Sequence, residues 1–279
     1  MLNVKEVVTS RQNPTVKRIC SLADKKGRRA EGLFRFDGIK LFREALDAGL
    51  CIRYVVLRED ISREIEDTVA RALETGGIEK SALLAVSEAV FDKISEERAP
   101  EGIISVAELP RELHRVCAAQ GYEAKRSEKL LVAEALRDPG NLGTVIRSAA
   151  ALGIDRLLLS DDCADLYNPK TVRAAMGGLF KLKIDTVPAE QLPDAIRSLR
   201  EDGRKVYAAA LHTEALELGS FELGQGDCFV IGNEGHGLSK ATVSACDACA
   251  IIPMREGSES LNAAAAAAIC IWETVKASR

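Results

Sequence analysis

The sequence contains few aromatic residues and no long uninterrupted run of apolar residues. Aromatic residues make up 4% of the 279 residues, whereas charged residues make up 29%. No window approaches about eighteen apolar residues without a charge, so the sequence predicts no membrane-spanning helix. The first residues, MLNVKEVVTSRQNP, lack a charged segment followed by an apolar one. We therefore expect no secretory signal and a cytoplasmic location.

Metal-binding patterns are also missing. His114, His212 and His236 form no H-E-x-x-H or H-x-x-x-H pattern, so we expect no metal site. Without a secretory signal, the eight cysteines are expected to be reduced thiols. Cys246 and Cys249 form a C-x-x-C pattern that leads into an apolar run. Packing in the core is the favoured interpretation of this pair, and a metal or redox role is the alternative.

Charge is unevenly distributed, although the formal net charge is only -4. Residues 1–58 contain thirteen lysines and arginines against six acidic residues, whereas residues 59–108 contain five against thirteen. We predict that the basic residues of the first segment contact nucleic acid, with a charged face that serves solubility alone as the alternative. The predicted set is Arg11, Lys17, Arg18, Lys25, Lys26, Arg28, Arg29 and Arg35.

Two α/β domains joined by a linker are expected. Residues 1–108 alternate helical patterns with short apolar strands, and a helical stretch is expected from Asn13-Pro14 to about Ala30. Residues 109–128 have no sustained apolar face, which is typical of a linker. Over residues 129–279 short apolar runs alternate with helical patterns, which predicts a mostly parallel sheet covered on both faces. Because such sheets bind ligands beyond the carboxyl ends of their strands, functional residues are expected directly after strands.

The first candidate segment follows the predicted strand KLLVAEAL. Asp138-Pro139-Gly140-Asn141 has turn chemistry, and Asn141 either caps the following helix or belongs to a site. Arg147 lies in the first two turns of that helix among apolar neighbours, so it is either a surface charge or a functional group. The segment matches neither G-x-G-x-x-G nor G-x-x-x-x-G-K-[ST]. A Rossmann dinucleotide site is therefore disfavoured and a P-loop NTPase is excluded.

Two later segments also carry polar residues directly after predicted strands. In CFVIGNEGHGLS, a plain turn explains the glycines, whereas Glu234 between them is either solvated or fixed in a site. In IIPMREGSESLN, a helix is expected to begin near Ser260, which is either its N-cap or a site residue. Three polar loops at strand ends favour a common site over three unrelated turns.

Together the three segments resemble the SpoU class of the SPOUT RNA methyltransferases. The motifs are N-x-G-x-x-x-R-x-A-x-x-x-G from Asn141 to Gly153, G-N-E-G-x-G-L from Gly232 to Leu238, and I-P-M-x-x-x-x-E-S-L-N from Ile252 to Asn262. They occur in this order, and the resemblance spans about residues 129–276. Residues 1–108 are similar to the substrate-binding domain that often precedes this catalytic domain.

The resemblance implies an RNA 2′-O-ribose methyltransferase that uses S-adenosylmethionine. It further implies that the sheet of the catalytic domain ends in a deep trefoil knot and that the protein is a homodimer formed through this domain. The family's pattern assigns catalytic roles to Arg147, Asn141, Glu234, Ser260 and Asn262. By motif position, the residues at the cofactor are Leu211, Gly232, Ile252, Met254 and Leu261.

Within this pattern, Arg147 is expected to bind a phosphate and the reacting hydroxyl, because a guanidinium does not readily give up a proton. Ala263 and Ala264 stand where the family commonly has a valine and a serine. The polar catalytic set is nevertheless complete, which favours an active enzyme over an RNA-binding assembly factor that has lost turnover. The separate basic N-terminal domain favours ribosomal RNA over transfer RNA as the substrate.

Overall fold

The computed structural model describes residues 6–110, 114–115, 121–211, 214–233, 235–255 and 260–277. The chain divides into two compact units. Unit 1 comprises Met1–Arg111 with Tyr167–Phe180, and unit 2 comprises Glu112–Leu166 with Lys181–Arg279. None of the helices in the described residues is long and apolar enough to cross a membrane.

The secondary structure alternates between strands and helices along most of the chain. The strands are β1 Leu33–Asp37, β2 Ile52–Arg58, β3 Leu83–Val86, β4 Ile103–Glu108, β5 His114–Arg115, β6 Leu130–Ala133, β7 Arg156–Ser160, β8 Lys183–Val187, β9 Val206–Ala209, β10 Leu216–Glu217, β11 Cys228–Ile231 and β12 Ala248–Ile251. The α-helices are α1 Pro14–Ser21, α2 Lys25–Glu31, α3 Ile39–Asp47, α4 Arg63–Glu74, α5 Glu88–Ile94, α6 Pro139–Leu152, α7 Pro169–Ala175, α8 Leu192–Glu201, α9 Lys240–Ala245 and α10 Ala263–Lys276.

Unit 1 contains a four-stranded sheet in the order β1-β4-β2-β3. Strand β4 pairs antiparallel with β1 and β2, whereas β2 and β3 are parallel. Residues Tyr167–Phe180 group with this unit although they come after the predicted start of the second domain at residue 129. The physical reason is aromatic packing, because Tyr167 lies 4.7 Å from Phe34 and Phe180 lies 5.5 Å from Phe36, measured between ring centroids.

The helical stretch expected from Asn13-Pro14 to about Ala30 is formed by two helices, α1 and α2. The side chain of Asn13 caps α1 by accepting the N–H of Thr15 at 2.9 Å. A second cap interrupts the helix, because the side chain of Asp24 accepts the N–H of Gly27 at 2.7 Å and starts α2. Helix α2 then ends at Gly32, whose φ of 65° is readily adopted by glycine.

Unit 2 contains an eight-stranded sheet in the order β10-β12-β9-β11-β6-β7-β8-β5. Its strand pairs are parallel, which confirms the predicted mostly parallel sheet. The two edge strands are two-residue strands that the sequence pattern does not indicate. One of them, β5, lies within residues 109–128, the predicted linker, and Tyr122 from the same segment is buried.

A buried polar network holds part of this predicted linker against the sheet. The phenol of Tyr122 donates to Asp185 at 2.9 Å, and Arg156 donates to the same carboxylate at 2.6 Å. Burial and the neighbouring Asp185 raise the pKa of Tyr122, so its phenol keeps the proton that it donates. Arg156 also reaches Glu128 at 3.1 Å. The end of the predicted linker is therefore an integral part of unit 2.

Arg204 fixes the same segment from the other side. Its side chain is fully buried, and Nη1 donates to the carbonyls of Glu128 at 3.0 Å and Gly226 at 2.8 Å. Nη2 donates to the carbonyls of Ala124, at 3.1 Å, and Lys125. Charge-assisted hydrogen bonds to several carbonyls compensate for the burial of the guanidinium.

We predict that Arg204→Met lowers the free energy of unfolding of unit 2 by about 3 kcal/mol, because buried carbonyls lose their donor. Fluorescence of Trp272, the single tryptophan of the chain and a residue of α10, reports on urea denaturation of this unit. Arg197→Met on helix α8, which ends shortly before Arg204, is the control, since Arg197 is exposed and should change the stability by less than about 0.5 kcal/mol. Equal midpoints for the two variants would contradict the prediction.

Candidate functional site

A cavity of about 480 Å³ lies in unit 2, beyond the carboxyl ends of three neighbouring strands. The strands are β12, β9 and β11, which are adjacent and parallel, so their carboxyl ends lie at one edge of the sheet. This is the position that ligands take in open parallel sheets. The wall combines residues directly after these strands with Ser260 and Leu261, which precede α10.

The five residues assigned to the cofactor by motif position all line this cavity. They are Leu211, Gly232, Ile252, Met254 and Leu261. Two of them are unusually open to solvent for leucines, with 70% of Leu211 and 40% of Leu261 exposed. Apolar surface at the mouth of a cavity favours a ligand that covers it. Their contact with a ligand stays a prediction.

Gly232 lies where the loop after β11 folds back closely on its own backbone. A Cβ at this position would lie 2.5 Å from the carbonyl carbon of Gly237 and 2.6 Å from the nitrogen of Leu238. The residue after β11 must therefore be glycine for the loop to close upon itself. Asn233 and Gly237 complete the closure by exchanging backbone hydrogen bonds of 3.0 Å in both directions.

The side chain of Asn233 fixes this loop to the neighbouring strand. Its Nδ2 donates to the carbonyl of Ala135 at 2.8 Å, and its Oδ1 accepts the N–H groups of Gly235 at 2.9 Å and His236 at 3.1 Å. Ala135 follows β6 and has a φ of 53°, which is uncommon for a residue with a Cβ. No role was expected for Asn233 from the sequence, although a polar residue between Gly232 and Glu234, just after a strand, is a signal for such a role.

A buried carboxylate holds the far end of the loop. Glu134, 8% exposed, accepts the N–H of Ser239 at 2.9 Å and the hydroxyl of Thr242 at 2.9 Å. Both donors belong to the start of α9, where a negative charge is stabilised by the helix dipole. No role was expected for Glu134 either, because it lies within an apolar run that is typical of a plain strand.

The first and third motifs meet beside the cavity. Nδ2 of Asn262 donates to Oδ1 of Asn141 at 3.0 Å. One alternative was that Asn141 caps α6 and that Ser260 caps α10. Instead, Asp138 caps α6 by accepting the N–H of Asn141 at 2.8 Å. Asn262 rather than Ser260 caps α10. The side chain of Asn141 therefore contacts Asn262, which directly follows Leu261 in the cavity wall.

The remaining predicted catalytic residues are placed differently. Ser260 lines the cavity, whereas Arg147 is exposed on α6 and is not part of the cavity wall. Glu234 lies outside the described residues. The structure therefore brings together Asn141 and Asn262, whereas Ser260 is placed in the cavity wall and Arg147 nearly two turns further along the helix that carries Asn141.

The C-x-x-C pair is embedded in the core of unit 2. Cys246 is buried in the apolar cluster and Cys249 packs against it. Burial raises the pKa of Cys249 and that of Cys246, the latter to about 12, so both thiols are protonated at neutral pH. This favours the packing interpretation over a metal or redox role. Within the described residues, no group of three or more histidine, cysteine or acidic side chains could hold a metal ion.

Two of the eight basic residues predicted to contact nucleic acid are unavailable for it. Arg28 is 3% exposed and donates to the carbonyls of Leu22 at 2.8 Å and Ala23 at 2.7 Å, which closes the turn between α1 and α2. Arg35 is 3% exposed and pairs with Glu96 at 2.6 Å. The prediction is corrected for these two because their guanidinium groups stabilise unit 1 internally.

The other six predicted residues remain on the surface of unit 1. Arg18 pairs with Glu31 at 2.5 Å, and Arg11 donates to the carbonyl of Ala89 at 3.1 Å. The exposed set is Arg11, Lys17, Arg18, Lys25, Lys26 and Arg29.

Comparisons with known proteins agree with the fold and the arrangement of the motifs. The SpoU rRNA Methylase family matches residues 128–272, and the MRM3-like substrate binding domain matches residues 13–105. The 23S rRNA (guanosine(2553)-2'-O)-methyltransferase RlmP of Bacillus subtilis is 32% identical over 267 residues, which is 95% of this chain and 97% of that protein.

Solved structures are similar over nearly the whole chain. An AdoMet-bound rRNA methyltransferase from Sinorhizobium meliloti is 30% identical with a TM-score of 0.80 and 97% of both chains covered. The SpoU methyltransferase AviRb from Streptomyces viridochromogenes, in complex with AdoMet, is 26% identical with a TM-score of 0.78, covering 95% of this chain and 98% of that chain. The parallel sheet, the three motifs and these relatives together define a methyltransferase of the SPOUT type. This chain belongs to the SpoU rRNA methylase family.

We predict that Gly232→Ala opens the loop after β11, because the new methyl group cannot be accommodated against Gly237 and Leu238. Faster amide hydrogen exchange over residues 232–238 and a destabilisation of about 2 kcal/mol are expected. Gly235→Ala is the matched control in the same loop, since its Cβ would lie 3.6 Å from Oδ1 of Asn233, an ordinary contact. Equal exchange rates in the two variants would contradict the proposed steric role of Gly232.

Proposed function

We propose that this protein is an S-adenosylmethionine-dependent RNA 2′-O-ribose methyltransferase that acts on ribosomal RNA. The single observation that carries the proposal is the convergence of five residues, assigned by motif position from three separate chain segments, on one cavity at the carboxyl edge of the sheet. Two of the related proteins named above are rRNA methyltransferases, and one of these two is a 2′-O-methyltransferase.

The cavity fits the cofactor in size and in chemical character. A volume of about 480 Å³ lies within the range of small-molecule sites. The side chains of Leu211, Met254 and Leu261 offer apolar surface at its wall, while Gly232 lets a ligand approach the backbone closely. When bound, S-adenosylmethionine supplies a methyl group on a sulfonium that is reactive toward an oxygen nucleophile.

The protein's own task is to position the ribose and to manage one proton. Asn141, Ser260 and Asn262, with Glu234, are proposed to orient the reacting groups. Arg147 is proposed to bind the adjacent phosphate and the 2′-oxygen through its planar fork and to stabilise the negative charge that develops there. The contact between Asn141 and Asn262 supports this role, since it links the helix of Arg147 to the cavity.

The proposal includes three features that go with the family. We propose that the sheet of unit 2 ends in a trefoil knot, that the protein is a homodimer formed through the catalytic domain, and that it acts in the cytoplasm. Strand β11 is inserted between β6 and β9, and β12 lies on the far side of β9, which is an order that suits a knotted chain. Trp272 on α10 is 45% exposed, which favours an interface there.

The choice of substrate rests on the relatives and on unit 1. Residues 1–108 are proposed to form the RNA substrate-binding domain, and its exposed basic residues are proposed to contact phosphates and RNA shape more than base edges. A transfer RNA 2′-O-methyltransferase and a non-catalytic assembly factor are the alternatives. The relatives that modify rRNA favour ribosomal RNA over the first, and the complete polar set favours an enzyme over the second.

We predict methyl transfer to ribosomal RNA and its strong dependence on Arg147. The protein is incubated with isotopically labelled S-adenosylmethionine and unmodified ribosomal or transfer RNA, and the RNA is digested to nucleosides for mass spectrometry. Label is expected on a 2′-O-methylated nucleoside from ribosomal RNA. Arg147→Lys is expected to lower kcat by about 100-fold, because lysine lacks the planar fork.

Cofactor binding is the control for this experiment, measured as the rise in Tm that S-adenosylmethionine causes. It should be the same in the wild type and in Arg147→Lys, since Arg147 does not line the cavity. Label in transfer RNA alone would select that alternative. Normal turnover of Arg147→Lys would refute the role of the fork.

We predict that Lys25→Glu, Lys26→Glu and Arg29→Glu together weaken RNA binding and flatten its salt dependence. The loss of three phosphate contacts should make the slope of the logarithm of the RNA association constant against the logarithm of the salt concentration shallower by about 2. The matched control reverses the charge of Arg63, Arg71 and Lys80, which are exposed in the acidic part of unit 1. If both triple variants showed the same slope, the α2 surface would not be the RNA contact.

A further inference from the structure

An imidazole lies in the wall of the cavity, and the proposed reaction needs a proton acceptor. Among the side chains that the structure describes, His236 is the only imidazole, and it lines the cavity together with Ser260. Methyl transfer to a ribose hydroxyl requires that the hydroxyl proton leave as the new bond forms. A guanidinium has no lone pair to accept it, so Arg147 does not supply this function.

The other described residues of the cavity wall offer no better acceptor. His236 and Cys249 are the ones with titratable side chains. Burial raises the pKa of Cys249, so its thiol is already protonated at neutral pH. The remaining wall is formed by apolar side chains, glycines, Asn233 and the hydroxyl of Ser260. A neutral imidazole is the side chain that enzymes use most often as a general base.

The hydrogen bonds of the loop select one tautomer of this imidazole. The amide of Asn233 is oriented by its contacts, since Nδ2 donates to the carbonyl of Ala135 while Oδ1 accepts two backbone N–H groups. Nδ1 of His236 lies 3.3 Å from that Oδ1. Because the amide oxygen can only accept, Nδ1 must carry the hydrogen. In the neutral ring the lone pair then belongs to Nε2.

We propose that Nε2 of His236 accepts the proton of the ribose 2′-hydroxyl during methyl transfer. The inference rests on the function proposed above. The 2′-O–H bond breaks and its proton forms the imidazolium, while the oxygen bonds to the methyl carbon and the sulfur–methyl bond breaks. The products are the 2′-O-methylated RNA and S-adenosylhomocysteine, and the imidazolium returns its proton to water. Asn233 stabilises the imidazolium because its oxygen accepts the Nδ1 hydrogen.

Two isosteric variants separate a proton acceptor from a residue that holds the loop. In His236→Asn the side-chain amide keeps a donor near the position of Nδ1 and so keeps the contact with Asn233, but it lacks Nε2. In His236→Gln the amide reaches the position of Nε2 without a basic nitrogen. Both variants are expected to lower kcat for methyl transfer by about 100-fold. The KM for RNA and the Tm rise caused by S-adenosylmethionine should stay within about twofold of those of the wild type.

Chemical rescue supplies the readout that a structural role would not give. Added imidazole is expected to restore part of the turnover of His236→Ala, with no effect on the wild type. Turnover of His236→Asn above about a third of the wild type would overturn the inference, and so would loss of the Tm rise in both isosteric variants. Absence of methyl transfer by the wild type itself would instead count against the proposed function.

Discussion

The geometry of the site depends on the hydrogen bonds that the side-chain amide of Asn233 makes. One side of the amide holds the carbonyl after β6 and the other holds the loop after β11, so two neighbouring strands end in a single hydrogen-bonded unit. Gly232 allows that loop to fold back closely, and Glu134 holds its far end at α9. Asn233 has a short side chain, Glu134 is buried, and Gly232 has no Cβ, so these residues have few alternative conformations. The loop is therefore preorganised, which spares a ligand the entropy of ordering it.

Much of the architecture could be predicted because its signals are local in the sequence. The short apolar runs expected over residues 129–279 are strands of one parallel sheet, as their spacing indicates. The edge strands β5 and β10 could not be predicted, since two residues are too short to show an alternating pattern. The interruption between α1 and α2 was missed because the capping strength of Asp24 competes with a helical pattern that otherwise continues.

The site could be predicted in part for the same reason. Functional residues were expected directly after strands, and the residues assigned to the cofactor line one cavity at the carboxyl edge of the sheet. The roles of Asn233 and Glu134 depend on contacts between residues far apart in the chain, and no local pattern reports them. A count of charges cannot show which basic residues are buried. Arg28 and Arg35 were therefore expected at the surface, although the fold buries each of them against its hydrogen-bond partners.

The apolar mouth of the cavity has a thermodynamic consequence. Leu211 is 70% exposed and Leu261 40% exposed, so water wets hydrocarbon at the entrance as long as nothing covers it. Any ligand that seals the entrance releases this water, and the complex then has a lower heat capacity than its separated components. The enthalpy of binding consequently becomes more favourable as the temperature rises. A cavity of this design draws an increasing share of its affinity from enthalpy in a warmer environment.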